Sequence, residues 1–166
     1  MSVLPILKWP DSRLSQLCAP VPPSVDLAGV IADLFETMYA AQGRGLAAPQ
    51  VGILQRFFVM DCDWKEQAPA PKVCINPKIL YASDETSARP EGCLSLPGIT
   101  ADVTRPVRII LLSYDLAGQQ QRWHLNGFAA TCAQHELDHL NGLVTFDRVD
   151  PADRQPLEAC YGAAMI

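Results

Sequence analysis

His135, Glu136 and His139 form an H-E-x-x-H run, two imidazoles four residues apart with a carboxylate beside the first. On an α-helix, residues four apart share a face about one turn from each other. His135 and His139 can therefore hold one metal ion with Glu136 next to it. A carboxylate beside a metal-bound water can take that water's proton. The chemistry implied is metal-assisted hydrolysis at a carbonyl. The chain has three histidines in 166 residues, and two of them fall in this run.

A helix must carry the pair. Asn126 or Gly127 can start it, and Asn141-Gly142 is a C-terminal stop signal. Between them Phe128, Ala129, Ala130, Cys132, Ala133, Leu137 and Leu140 make an apolar face, which predicts a buried helix. Two histidines and a glutamate in such a helix need polar partners, and a metal supplies one. A catalytic ion usually takes three protein ligands and leaves a position for water. Downstream, Asp147, Asp150, Asp153 and Glu158 could serve as the third, and nothing in their spacing marks one out. Upstream, Glu91-Gly92-Cys93-Leu94-Ser95 stands out, because a glycine beside a cysteine lets the backbone approach a ligand closely. A cysteine taken alone is more often buried structure.

The other elements follow from pattern. Leu27, Val30, Ile31, Leu34, Phe35 and Met38 keep helical spacing, with Ser24 as a cap and a stop near 40–43. Residues 43–52, with three glycines and Pro49, read as a loop. Phe57–Met60, Val73–Ile75, Ile79–Tyr81 and Val107–Tyr114 read as strands, and Asp61–Pro71 as a polar surface loop. Asp115–Gly118 is a turn, and Gln121–Leu125 completes a hairpin. The order predicts an α+β fold, mostly antiparallel sheet around a central metal-binding helix. Pro151 and Pro156 predict that the tail does not form one long helix.

Composition bounds the partners. Hydrophobic residues make up 49% and charged residues 19%, which fits a folded globular chain; the length suits one domain, 1–166, with a short tail from about 151. A net charge of -5 argues against nucleic acid as the main partner. No apolar run approaches transmembrane length. MSVLPILKWPD lacks the parts of a secretory signal, so the expected location is the cytoplasm. Cysteines at 18, 62, 74, 93, 132 and 160 are irregularly spaced without a C-x-x-C pair, which predicts reduced thiols.

Over about residues 1–150 the chain resembles the peptide deformylases. Three motifs carry the likeness: Gly43-x-Gly45-Leu46-Ala47-Ala48-Pro49-Gln50, Glu91-Gly92-Cys93-Leu94-Ser95, and Gln134-His135-Glu136-Leu137-Asp138-His139. The opening Trp9-Pro10-Asp11-x-Arg13-Leu14 is also similar. The resemblance implies removal of the formyl group from N-formylmethionyl nascent chains. It implies Cys93 as third ligand with His135 and His139, one divalent ion (Fe2+ first, with Zn2+, Ni2+ or Co2+ chemically acceptable), and Glu136 as general base. It makes the Gln50 amide and the Leu94 backbone N–H donors to the oxyanion, and pairs Glu91 with Arg105 to hold the Cys93 segment. Gly45 would contact an extended substrate, with Leu94, Phe128 and Cys132 at the methionine pocket.

Departures lie near the expected cleft. Arg44 and Thr131 occupy slots usually aliphatic in the family, and Thr100 one that is basic in some relatives. A guanidinium at 44 predicts a preference for acidic residues after methionine. Some members dock on the ribosome through a Lys- and Arg-rich terminal helix; residues 151–166 hold one basic residue, Arg154, so that docking is not expected here. Three other readings compete: a general zinc peptidase with a downstream ligand, a deformylase-like enzyme for a different N-acyl peptide, and a non-catalytic protein that binds N-termini. Intact Glu136, Cys93 and Gln50 count against the last.

Overall fold

In the computed structural model, which describes residues 2–164, five antiparallel strands form a sheet covered on both faces by helices. The first helix, α1, is Ala28–Ala40. Then come β1 (Gly45–Ala47), β2 (Phe57–Met60), β3 (Lys72–Ala82), β4 (Thr86–Cys93), β5 (Leu96–Pro106), β6 (Arg108–Tyr114) and β7 (Gln120–Asn126). The second helix, α2, is Gly127–Leu140, and α3 is Pro151–Ala164. The sheet order is β1-β2-β3-β6-β7, and β4 and β5 form a separate hairpin. The fold is α+β with antiparallel sheets and the histidine helix at its centre.

Strand β2 explains the layering. Its side chains alternate between faces. Phe57 and Val59 pack with Ile31, Leu34 and Met38 of α1, while Phe58 and Met60 pack with Ala130, Ala133 and Leu140 of α2. All four β2 residues are therefore buried, and the strand reads as a continuous apolar run. A third cluster (Leu14, Leu96, Ile99, Val144, Phe146, Tyr161) joins the N-terminal segment, the β4–β5 hairpin and α3.

Several expectations are corrected. Ser24 is not the cap of α1: Asp26 accepts the Ala28 N–H at 2.9 Å, two residues closer to the first turn. Residues 43–52 are not all loop, because Gly45–Ala47 pairs with Phe58–Met60 as an edge strand before a 3-10 turn at Ala48–Val51. The two predicted strands at 73–75 and 79–81 are one strand with irregular register, Asn76 taking φ 48°. The hairpin β4–β5 was not foreseen. Asp61, at the start of the polar loop, is fully buried and accepts the Tyr39 hydroxyl at 2.8 Å. The tail does form a helix, across Pro156. Pro151 stands at its first position, where no N–H is needed. Pro156 removes one hydrogen bond, but Tyr161 is 2% exposed and Leu157 packs on the third cluster, and this burial holds the helix.

The end of α2 is closely fitted. Arg56 donates to the Leu140 carbonyl at 3.1 Å, a cation at the negative end of the helix. Gly142 takes φ 73°, and a Cβ there would lie 2.8 Å from the Ser15 carbonyl carbon. Both effects oppose a side chain. Gly142→Ala is expected to lower stability by about 1–3 kcal/mol, read as a drop in the urea midpoint. An unchanged midpoint would show that neither effect holds.

Candidate metal centre

Helix α2 sets the two histidines on one face, and the turn after β4 brings Cys93 to them. His139 Nε2 lies 3.2 Å from His135 Nε2 and 3.3 Å from Cys93 Sγ. All three ligand atoms fall within 4.8 Å of one another. Edges near 3.3 Å are what a tetrahedral ion with bonds of about 2.0–2.3 Å requires. At this centre two buried side-chain atoms, Glu136 Oε2 and His139 Nδ1, have no hydrogen-bond partner among the described residues. The donor set, its spacing and the unpartnered Glu136 oxygen fit a divalent metal with an ordered water.

Burial and the close approach of these groups shift their protonation equilibria. Burial would raise the Cys93 thiol, but the imidazoles of His139 and His135 hold it well below the usual thiol value. It is thus disposed to be the thiolate a metal needs. Burial would lower His135, yet Cys93 and Glu91 raise it well above the ordinary imidazole value. Burial pushes the Glu136 carboxyl up to about 7, partly offset by the two histidines.

A buried ionic chain supports the centre. Glu91 Oε2 accepts from His135 Nδ1 at 2.9 Å, which turns Nε2 toward Cys93 and His139. Arg105 donates to both Glu91 oxygens at 2.6 and 3.0 Å, and to Asp138 at 2.8 Å. Arg148 closes on the other side of Asp138. Asp138 and Arg148 were missed from sequence. The available signal was a carboxylate on a helix otherwise read as buried, which requires a cation.

The cleft in front of the centre encloses about 670 Å³. Gly45, Gln50, Glu91, Cys93, His135 and Glu136 all border it, as do Leu94, Thr131, Cys132 and Thr100 on its walls. His139 and Arg105 stand behind it. Gln50 is 2% exposed; its Oε1 accepts the Ala47 N–H at 2.9 Å, and Nε2 points to Cys93 and Ser95. Gly45 is required for space: a Cβ there would come 2.8 Å from the Glu136 carboxyl carbon. Phe128 does not belong to the buried face of α2. It is 48% exposed, on the rim of the cleft, with the Arg44 guanidinium 5.3 Å above its ring. Arg44 also pairs with Glu66 and donates to the Cys62 carbonyl. Its charge is paired within the protein, which weakens the field behind the expected preference for acidic peptides.

A thiol and two imidazoles on converging lone pairs, with a buried carboxylate and an oriented amide beside them, define a metal hydrolase site. The family model for polypeptide deformylase matches residues 3–155. A peptide deformylase of Acinetobacter baumannii is 44% identical, covering 93% of this chain and 88% of that relative. One from Rhizobium meliloti is 40% identical over 93% and 89%. Among solved structures, a peptide deformylase from Legionella pneumophila superposes with a TM-score of 0.91 at 33% identity, covering 99% of this chain and 96% of that one. The chain belongs to the polypeptide deformylase family, and its activity is the family's, metal-dependent hydrolysis that removes the N-formyl group from newly made polypeptides.

Cys93 is the ligand brought from outside α2, so its removal breaks the triangle. Cys93→Ala is expected to lose tight metal binding along with activity. Metal analysis after dialysis measures this. Full occupancy with normal turnover would place the third ligand elsewhere.

Proposed function

We propose that Cys93, His135 and His139 hold one ferrous ion and that Glu136, Gln50 and Leu94 carry out deformylation around it. Zinc, nickel and cobalt suit the same donors. When bound, the ion acidifies water and polarises the formyl oxygen. Glu136, buried with Oε2 unpartnered, takes the proton of the attacking water and delivers it to the departing amine. Gln50 Nε2 and the Leu94 backbone N–H donate to the oxygen as charge develops on it. One water is consumed; formate and a free N-terminus leave. Glu91 keeps His135 in the ligating tautomer, and Arg105 keeps Glu91 charged.

Strand β1 is an edge strand with Gly45 on the cleft, suited to pairing with an extended peptide. Leu94, Thr131 and Cys132 would surround the methionine side chain, with Phe128 and the Arg44 stem at the outer rim. The substrate is a nascent chain, which fits a cytoplasmic enzyme; no described helix is long and apolar enough to cross a membrane. Residues 151–166 would form no ribosome anchor and take no part in binding nucleic acid. Arg154 is already paired with Asp147 and Glu158. Met165 and Ile166 lie outside the described residues. Tyr161 and Leu157 anchor the tail to the rest of the fold, so Arg154→Glu is a cleaner test than deletion. Ribosome co-sedimentation is expected to be unchanged by it, and a loss of binding would refute this view of the tail.

The observation that carries the mechanism is the unpartnered buried carboxylate beside the ligand triangle. Formate release from formyl-Met-Ala, by protein purified anaerobically with iron and separately with nickel, tests it. Wild type should turn over with either metal and leave acetyl-Met-Ala intact. Glu136→Ala should keep its metal and lose about a hundred- to ten-thousand-fold in kcat. Turnover within about threefold of wild type would remove Glu136 from the mechanism. Hydrolysis of the acetyl peptide alone would favour the alternative acyl group, and binding without turnover would favour the non-catalytic relative.

A further inference from the structure

Ser95 is fully buried, and its hydroxyl faces the amide that the mechanism uses. Gln50 Nε2 donates to Ser95 Oγ at 3.1 Å. The other end of the amide is held as well, Oε1 accepting the Ala47 N–H at 2.9 Å. A glutamine side chain has a nitrogen and an oxygen of nearly equal shape, and only its hydrogen bonds decide which end points where. A backbone N–H requires the oxygen. A serine oxygen then accepts one of the two amide hydrogens. Because the amide is planar, the second hydrogen is aimed to one side, and Cys93 Sγ lies on that side at 3.7 Å from Nε2.

The backbone around Ser95 is fixed by the same segment that fixes Gln50. The Trp9 N–H donates to the Ser95 carbonyl at 3.0 Å, and the Leu7 N–H to the Gln50 carbonyl at 2.7 Å. Serine and glutamine are thus held at a set separation from one strip of chain.

We propose that Ser95 is a positioning residue for deformylation: its hydroxyl locks the Gln50 amide so that the second Nε2 hydrogen is presented to the formyl oxygen. This rests on the deformylase activity and on the donor role of Gln50. Ser95 itself does not touch the substrate. Its contribution acts through Gln50 and is made in the transition state, so it belongs in kcat and not in KM.

The experiment is a double-mutant cycle on the metal-loaded enzyme with formyl-Met-Ala, using Ser95→Ala, Gln50→Ala and the pair. Metal content and melting temperature are checked in each. Ser95→Ala is expected to lose about three- to tenfold in kcat, the worth of one oriented hydrogen bond, with KM nearly unchanged. Ser95→Cys, which keeps a weaker acceptor, should fall between. In the Gln50→Ala background, Ser95→Ala should cost nothing more. Losses that multiply, or an unchanged kcat in Ser95→Ala, would overturn the role.

A second readout needs no turnover. In the zinc-loaded protein the Gln50 side-chain amide signals, identified by their loss in Gln50→Ala, should move toward free-glutamine positions in Ser95→Ala. Signals that stay in place would overturn the role as well. If Gln50→Ala itself keeps full kcat, the donor role of Gln50 fails while the amide signals still report whether Ser95 holds it.

Discussion

One buried guanidinium holds the two halves of the centre together. Cys93 comes from the β4–β5 hairpin and the histidines come from α2, and these elements share no strand pairing. Arg105 on β5 bonds to Glu91 on β4 and to Asp138 on α2. It is 5% exposed, and so is shielded from competing water. A buried charge left alone is strongly unfavourable, and breaking such a pair costs about 3–5 kcal/mol. The only low-energy position for Arg105 is the one with both carboxylates on it. That requirement sets the hairpin against the helix, and through Glu91 it also sets the rotation of the His135 ring.

The opposite side of the site is set by backbone hydrogen bonds. Residues 7–9 run between the Gln50 turn and the Leu94–Ser95 turn. Besides the Leu7 and Trp9 bonds, Lys8 Nζ donates to the Leu94 carbonyl at 2.6 Å. Trp9 is fixed in turn from the C-terminus, since the Tyr161 hydroxyl donates to its carbonyl at 2.8 Å and its ring meets Tyr161 and Phe146 edge-on. Both chain ends therefore bear on the segment that orients the amide donor. This gives α3 a structural task unrelated to surface charge, and it accounts for a tail helix persisting across a proline.

Much of this was legible in the sequence where one element decides the outcome. The spacing of His135 and His139, the stop at Asn141-Gly142, the α1 periodicity and the β2 run are local, and α1, α2 and β2 lie close to where they were expected. The β4–β5 hairpin was not, although Ile99, Ala101 and Val103 alternate. Arg105 stands at the next inward position, where an apolar residue would have extended the pattern, and Pro90, Gly92 and Gly98 further obscured it. The third ligand followed from family resemblance, because a cysteine far upstream in a turn carries no spacing signal toward a helix. The roles of Asp138, Arg148 and Ser95 were missed for a related reason. Each matters through a partner brought to it by the tertiary fold, and residue type alone does not name that partner.

Arg44 shows how a local substitution is absorbed. A cation in a slot that is usually aliphatic suggests an electrostatic wall on the cleft. In the structure Arg44 lines the cleft, and its head is tied to Glu66 and the Cys62 carbonyl above Phe128. Glu66 is 59% exposed at its side chain, so water screens the pair and its field. Exposed pairs of this kind contribute about 1 kcal/mol or less, and salt reduces it further. The chemistry of the slot changes in the sequence, while the added charge is met within the protein by Glu66.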